Sequence, residues 1–250
     1  FSSDPIGYLA ALHQAHGDVA PFSFGVGGLQ VLVMHPDVIG EVLQGTGKSF
    51  RKGYQSGFAT PLVLGNGLVT SEGDFWRRQR KLAQPAFHTK RIASYADTMV
   101  QLTAEAAADW QAGSERDIHH EMMRLTSRIA TRTLFSAELT DADRMEALLT
   151  TMMEGLKGDF LSWEAFLPTA IPTPNRSNLK AAVDAFDQHL LAIIEARRSD
   201  PTPHDDLLAM LMEARDDQDQ PMSADQLRDE VVTLYIAGHE TTEIGRASCR

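Results

Sequence analysis

Apolar side chains recur at intervals of three and four residues along most of this chain, and this helical period constrains its fold more than any other feature. Such stripes put apolar groups on one face of each helix, so the helices pack around a common core. At 250 residues and 43% apolar, the chain is long enough to enclose one. With no repeat or linker to divide it, we predict a single, mainly α-helical domain over residues 1–242. The clearest stripes are Tyr95, Met99, Leu102, Ala106 and Trp110; Ile118, Met122, Leu125 and Ile129; and Leu179, Val183, Phe186, Leu190 and Ile194.

The N-terminal segment departs from the helical period. Two extended runs, Val19 to Phe24 and Leu29 to Met34, flank a glycine-rich tract that is typical of a tight turn. We therefore predict a small N-terminal β-hairpin within residues 18–34. Glycine and polar residues over 51–67 predict a long loop, which in a compact domain usually serves function.

Three local patterns mark where helices begin. Pro36-Asp37 opens a short helix that ends near Gly45. Ser71 and Asp74 have the spacing of a capping box and predict the start of the next helix. Ser223 and Gln226 have the same spacing and predict the start of the last one.

Charge and cysteine content exclude several classes of protein. The net charge is -11 and the basic residues are scattered. This disfavours a nucleic-acid partner, because phosphate binding needs a concentrated positive surface. One cysteine, Cys249, excludes an internal disulfide framework and a multi-cysteine zinc site. No stretch approaches the roughly 18 to 20 apolar residues of a membrane helix. Because the chain begins at Phe1, a membrane anchor upstream of it stays an open alternative.

Trp76 and Arg80 lie four residues apart within Trp76-Arg77-Arg78-Gln79-Arg80. This spacing puts both side chains on one face of a helix. A guanidinium and an indole N–H both donate hydrogen bonds, so together they suit a single carboxylate. The alternative interpretation is a surface arginine beside a core tryptophan.

The tract Ala237 to Thr242, Ala-Gly-His-Glu-Thr-Thr, lies late in the last predicted helix. A helical glycine such as Gly238 costs about 1 kcal/mol relative to alanine, and it usually indicates close packing or a local distortion. A threonine side chain can bond to a backbone carbonyl and leave room for a small molecule. An acid followed by an alcohol, Glu240 and Thr241, forms a candidate proton relay. The alternative is a frayed, solvated helix end.

Other tracts imitate known sites and fail on spacing. Gly45 to Ser49 resembles the end of a phosphate-binding loop, but the first glycine of that motif would fall at Val42. His119-His120-Glu121 and His239-Glu240 carry metal-binding residue types, yet neither continues to His-Glu-x-x-His. We interpret both as solvated helix surface and predict no metal ligand among them.

The order of these features resembles the N-terminal part of cytochromes P450. A hairpin, a long loop, Gly67-Leu68-Val69-Thr70-Ser71, Trp76-x-x-x-Arg80, Pro85-Ala86-Phe87 and a distant Ala-Gly-His-Glu-Thr-Thr follow one another as in that family. The resemblance covers residues 4–242 and implies an incomplete cytochrome P450 fold. It also implies haem b, iron protoporphyrin IX, as the cofactor of the complete protein.

The resemblance assigns roles to particular residues. Glu240 and Thr241 would be catalytic, as the acid and alcohol that deliver protons for O2 reduction. Segments 51–67 and 153–176 would shape the substrate pocket. The residues that would hold or face the haem are Trp76 and Arg80, at the propionates, and Ala237 and Gly238, at the oxygen groove.

The implied activity of the complete protein is that of a haem-thiolate monooxygenase. It would take two electrons from a redox partner, a ferredoxin or a flavoprotein reductase, and insert one atom of O2 into an apolar organic substrate. A cytoplasmic location goes with this interpretation. Two alternatives stay open: a non-catalytic helical module that binds a hydrophobic ligand, and a family member that uses peroxide or rearranges its substrate. The presence of Glu240 and Thr241 argues against the last.

The end of the chain carries separate expectations. Residues 243–250 leave the apolar stripe and resemble the translation of a sequencing adapter, which predicts a non-native tail. The family's Glu-x-x-Arg helix and cysteine loop lie downstream of the Thr-Thr pair. Cys249 follows that pair too closely and lacks the surrounding loop, so we expect the iron's proximal ligand to be absent from this chain and the fragment to be inactive alone.

Overall fold

The computed structural model describes residues 4–23, 29–45, 49–52, 59–136, 142–161, 167, 170–200, 202, 204 and 206–248. Most of these residues are helical, and two strands form one antiparallel pair. The predicted fold class, mainly α with a small N-terminal β-hairpin, is confirmed. In chain order the elements are α1 (Pro5–His16), β1 (Val19–Phe22), β2 (Gln30–Val33), α2 (Pro36–Gly45), α3 (Ala59–Leu64), α4 (Gly73–Ala83), a 3₁₀ turn (Gln84–Phe87), α5 (Thr89–Ala108), α6 (Ile118–Phe135), α7 (Ala142–Leu161), α8 (Pro174–Ser199), α9 (Leu207–Glu213) and α10 (Ala224–Ser248).

The hairpin pairs Val19 with Val33 and Phe22 with Gln30. The residues of its turn, 24–28, lie outside the described residues. Helix α1 packs on β1, and the rings of Tyr8 and Phe22 meet edge to face with centroids 6.2 Å apart.

Helix α1 does not stand out in the apolar pattern, and it was not predicted. Its start carries two recognisable signals. Pro5 occupies the first turn, and the Asp4 carboxylate accepts the backbone N–H of Gly7 at 2.8 Å.

The predicted long loop at 51–67 is only partly a loop. Residues 53–58 lie outside the described residues, and α3 occupies 59–64. Val63 of α3 is fully buried, and the helix contacts α7, α8 and α10. So short a helix is unstable alone, because helix nucleation is unfavourable, and tertiary packing stabilises it.

The two capping predictions have opposite outcomes. At α10 the Ser223 hydroxyl accepts the Gln226 N–H at 3.2 Å, and the Gln226 side chain accepts the Ser223 N–H at 3.0 Å. This capping box is confirmed. At α4 the prediction is wrong, because Glu72 is the N-cap residue and the Ser71 side chain is completely buried.

Helix α10 runs through the centre of the core. Its most extensive interface is with α6, and it also contacts α3, α8 and α9. Burying each large apolar side chain of this kind contributes about 1.5 to 3 kcal/mol. The first half of α10 buries Leu227, Val231, Val232, Tyr235 and Ile236.

Across the described ranges, no helix is both long and apolar enough to span a bilayer. The backbone of α10 is helical through Ser248, whereas the side chains of 243–248 and all of 249–250 lie outside the described residues. The non-native tail over 243–250 therefore stays a prediction.

Candidate functional site

Trp76 and Arg80 meet on one face of α4, as their spacing predicts. The guanidinium carbon of Arg80 lies 5.1 Å from the centroid of the Trp76 ring, which is cation–π distance. Arg80 is exposed and Trp76 is half-buried. The pair thus lies at the edge of the described structure, where a ligand can reach it.

The other basic residues of α4 all have acidic partners. In the part of the chain that the structure describes, Arg80 forms no ion pair, and the indole N–H of Trp76 donates no hydrogen bond. Arg80 is therefore the cation of α4 that is left for a ligand. The occupied pairs are Arg77 with Asp74, Arg78 with Asp216 at 2.6 Å, and Lys81 with Asp217 at 2.5 Å.

Lys52 reaches the same tryptophan from a distant part of the chain. Its Nζ lies 5.3 Å from the centroid of the Trp76 ring. It also donates to the carbonyl oxygens of Leu68 and Ser71, at 2.9 and 3.0 Å. Burial lowers the pKa of Lys52, although nearby carboxylates oppose this shift. Lys52 thus ties the loop before α4 to the tryptophan.

The loop before α4 rests on α10 through two carboxylates. Asp229 accepts the backbone N–H of Asn66 at 2.7 Å, and Glu230 accepts that of Leu68 at 3.1 Å. Glu230 is only 1% exposed. Desolvation raises the pKa of its carboxyl to about 7, and the Leu68 N–H and the charge of Lys52 oppose this rise.

The second half of α10 carries the other predicted residues. Ala237, Gly238 and Thr241 are exposed. The Thr241 hydroxyl donates to the carbonyl oxygen of Ala237 at 2.6 Å, so it is held against the helix backbone. The backbone of Glu240 is helical, and its side chain lies outside the described residues.

A cavity of about 660 Å³ opens between α5, α6 and α10. Ala237, Gly238 and Thr242 belong to its α10 wall. A Cβ added at Gly238 would meet no described atom within 4 Å. The close packing expected at this glycine is therefore not observed, and the position borders open space instead. The apolar lining includes Met122, Leu125, Ile129, Leu134 and Leu234.

His239 is buried, 4% exposed, so its interpretation as solvated surface was wrong. Its Nε2 lies 3.1 Å from the carbonyl oxygen of Met123 on α6, and its ring stacks on Tyr235. Burial lowers the pKa of His239, which favours a neutral ring that donates to this carbonyl. The Tyr235 hydroxyl lies 2.9 Å from the Ser127 hydroxyl on α6. Tyr235 and His239 lie one turn apart on α10, and both thus bond this helix to α6.

The two motifs are connected indirectly. Within the described ranges, no hydrogen bond or ion pair joins Trp76 or Arg80 to residues 237–242, and no group of three or more metal-ligating side chains occurs. The connection runs through Lys52, the loop and the first half of α10. The sequence pattern did not single out Lys52, Asp229 or Glu230 as site residues.

One of these residues did carry a recognisable signal. Glu230 falls three residues after Leu227, on the buried stripe of α10. A carboxylate where an apolar residue is expected indicates either a partner or a function. Lys52 carried no such signal, because it lies 24 positions from Trp76 along the chain.

Comparison with known proteins assigns the chain to a family. The family model for Cytochrome P450 matches residues 3–247. Cyclooctatin synthase of Streptomyces melanosporofaciens is 34% identical over 242 residues, which are 95% of this chain and 52% of that protein. Pentalenene oxygenase of Streptomyces avermitilis is 31% identical over 246 residues, with coverage of 95% and 52%. The chain thus spans about half the length of the curated relatives it matches.

Solved structures agree on the fold. The cytochrome P450DA heme domain aligns with a TM-score of 0.80 at 20% identity, covering 95% of this chain and 53% of that one. The retinoic acid bound cyanobacterial CYP120A1 aligns at 0.76 and 22%, with the same coverage. At these identities the likeness shows the fold alone. The family match, by contrast, covers nearly the whole chain, and this protein belongs to the cytochrome P450 family.

Proposed function

We propose that the full-length protein is a haem-thiolate monooxygenase. It takes two electrons from a redox partner, a ferredoxin or a flavoprotein reductase, and inserts one atom of O2 into an apolar organic substrate. The observation that supports this most is Arg80, which stands beside Trp76 without an acidic partner among the described residues. A guanidinium left in this way suits the carboxylate of a haem propionate.

The residues fit haem b by their chemistry. Arg80 and Trp76 both donate hydrogen bonds, and a propionate only accepts them. On α10, Ala237 and Gly238 extend no long side chain, and the space beside Gly238 is open to 4 Å among the described atoms. Bound haem supplies the electron transfer and oxygen chemistry, and the residues of this chain bind it and manage protons. Cys249 is not proposed as the iron ligand.

Thr241 holds a proton at Oγ1. In this structure the Thr241 hydroxyl donates to the Ala237 carbonyl oxygen at 2.6 Å. Rotation of the threonine side chain frees the hydroxyl to donate away from the helix. Glu240, the preceding residue, returns a proton to Oγ1 as the acid of the relay.

The names of relatives support an apolar substrate. Pentalenene oxygenase and cyclooctat-9-en-7-ol 5-monooxygenase name an alkene and an unsaturated alcohol, and the second is 33% identical over 241 residues. We propose a substrate of similar apolar character for this protein. The pocket segments predicted at 51–67 and 153–176 lie partly outside the described residues.

The test uses the full-length, haem-loaded protein. Its reduced form should give the thiolate-type Soret shift with carbon monoxide, and the absence of that shift would contradict the proposal. Thr241→Ala should leave substrate affinity intact and raise the peroxide formed per reducing equivalent several-fold, because the relay loses its alcohol.

Thr242→Ala is the matched control for the relay. It removes the neighbouring hydroxyl, which borders the cavity between α5, α6 and α10. Its peroxide yield should equal that of the unmodified protein. Equal uncoupling in both variants, or a proportionate loss of binding and turnover in Thr241→Ala, would contradict the role of Thr241.

A further inference from the structure

A buried carboxylate interrupts the apolar half of α10. Glu230 is 1% exposed and lies beside Val231 and Val232, which are equally buried. Placing a carboxylate there carries a desolvation penalty, so Glu230 is weak evidence for stability and a candidate for a specific role. Its contacts therefore indicate what it does.

Glu230 holds the loop that leads into α4. Its Oε2 accepts the Leu68 N–H at 3.1 Å, and Asp229 Oδ2 accepts the Asn66 N–H at 2.7 Å. Between these two contacts Gly67 lies directly on α10: a Cβ there would come within 2.2 Å of the Thr233 hydroxyl and 2.7 Å of the Asp229 carbonyl oxygen. The loop is thus fitted closely to this part of the helix.

Lys52 carries the position of this loop to Trp76. Its Nζ donates to Leu68 and Ser71 carbonyl oxygens on either side of the segment 69–70, and it lies over the Trp76 ring. The next contact in the series joins that ring to the Arg80 guanidinium. A displacement of Leu68 would therefore move the cation that packs on Trp76.

The charged groups around Glu230 come from three parts of the chain. Lys52 faces it from the segment before α3, and Asp229 neighbours it on α10. Glu72, at the start of α4, acts on Lys52. Arg228 is occupied by Asp187, at 2.8 Å, and by Asp229, at 3.0 Å. Among the described residues, Lys52 is the cation that lowers the pKa of Glu230.

We infer that Glu230 is a positioning residue for the Trp76–Arg80 site: it docks the loop of residues 65–71 on α10 and so sets the placement of α4 relative to α10. The inference rests on the proposed function, in which both helices contact the haem. Glu230 acts through the loop and through Lys52 and does not itself touch the cofactor.

The experiment measures haem loss from the full-length protein to excess apomyoglobin. Glu230→Leu removes the acceptor for Leu68 and should accelerate haem loss about tenfold, the effect expected for one charge-assisted hydrogen bond. Glu230→Gln keeps an oxygen acceptor in the same shape and should retain haem nearly as the unmodified protein does. Val232→Ala is the control, since it removes volume from the same buried stretch of α10 and leaves the Asp229 and Glu230 acceptors of the loop in place. Haem loss that is unchanged in Glu230→Leu, or equally fast in Val232→Ala, would overturn the inference.

A second measurement works without haem. Amide hydrogen exchange over residues 65–71 should become faster in Glu230→Leu and stay slow in Glu230→Gln and Val232→Ala. Unchanged exchange in Glu230→Leu would also overturn the inference. If the unmodified protein retains no haem, the proposed function fails by itself, whereas the exchange result still decides whether Glu230 docks the loop.

Discussion

The two helices that carry the candidate site are held in different ways. Helix α4 buries Gln79, Leu82 and Ala83, and much of its remaining attachment is polar. It is bound to Asp216 and Asp217 through ion pairs and to the preceding loop through Lys52. Helix α10 instead packs apolar side chains on several neighbours.

Because of this difference, the two helices should respond to different perturbations. Ion pairs at partly exposed positions contribute little and weaken with salt, whereas apolar packing is lost only when volume is removed. The Trp76–Arg80 pair should therefore depend on local charges, and the Ala237–Thr242 tract on the integrity of the core. The following predictions test this contrast in the full-length protein.

Tyr235→Ala should have the greatest effect on stability. The side chain is 2% exposed, and its ring meets those of Phe135, Phe186 and His239. Removing a buried aromatic ring costs about 3 to 5 kcal/mol of unfolding free energy, measured by urea denaturation. Tyr235→Phe, which keeps the ring and loses the hydroxyl that bonds with Ser127 and Thr131, should cost about 1 kcal/mol. A loss of unfolding free energy in Tyr235→Ala smaller than that in Tyr235→Phe would show that apolar packing does not stabilise α10.

Glu230 should make stability depend on pH. The pKa of its carboxyl is about 7 in the folded protein against an ordinary value of 4.5. Between these values the folded form binds a proton that the unfolded form has lost, so its contribution to stability is present at low pH and disappears as the pH rises through this window. The free energy of unfolding should fall by about 3 kcal/mol across this window.

The comparison for this pH effect is Glu230→Gln. This variant cannot ionise, so its unfolding free energy should lack the decline and should exceed that of the unmodified protein at pH 8. Urea denaturation at a series of pH values measures both. Parallel pH profiles for the two proteins would contradict the assignment of the titration to Glu230.

If the proposed function holds, Arg80→Ala should weaken haem retention, because a propionate would lose its charged partner. The expected loss is about 1.5 to 3 kcal/mol of binding free energy, measured by haem transfer to apomyoglobin. Arg77→Ala is the matched control, since Arg77 lies on the same helix and pairs with Asp74. Equal haem loss in both variants would indicate a general effect of charge on α4.

Replacing the two serines at the helix starts should have smaller effects on the unfolding free energy, and the two effects should differ. Ser223→Ala removes a confirmed cap of α10 and should cost about 1 kcal/mol of unfolding free energy. Ser71→Ala should leave the unfolding free energy unchanged or raise it, because the buried Ser71 hydroxyl has no partner among the described residues. Destabilisation by Ser71→Ala would restore the capping role that the structure contradicts.

Features that depend on regular backbone geometry could be predicted from the sequence. Most of the helical stripes, the hairpin and the meeting of Trp76 with Arg80 follow from fixed periods, which neighbouring residues reveal. The capping box at Ser223 was predicted for the same reason. Trp110 is an exception among the stripe residues, because it lies beyond the end of α5 and is exposed. The similar pattern at Ser71 failed: its side chain is buried, and α4 begins at Gly73 with Glu72 as the N-cap residue.

Which polar side chains are buried is decided only by the tertiary structure. His239 looked like an ordinary helix position and Glu230 interrupted an apolar stripe, yet both are enclosed and each bonds to a distant backbone group. The Leu68 N–H and the Glu230 carboxylate are 162 residues apart in the chain. Local pattern reaches as far as one helix and so revealed most of the secondary structure and the two motifs, and the order of the motifs along the chain indicated the family. Desolvation and partners across such distances depend on packing, and only the tertiary structure brings the loop, Lys52 and α10 together behind Trp76.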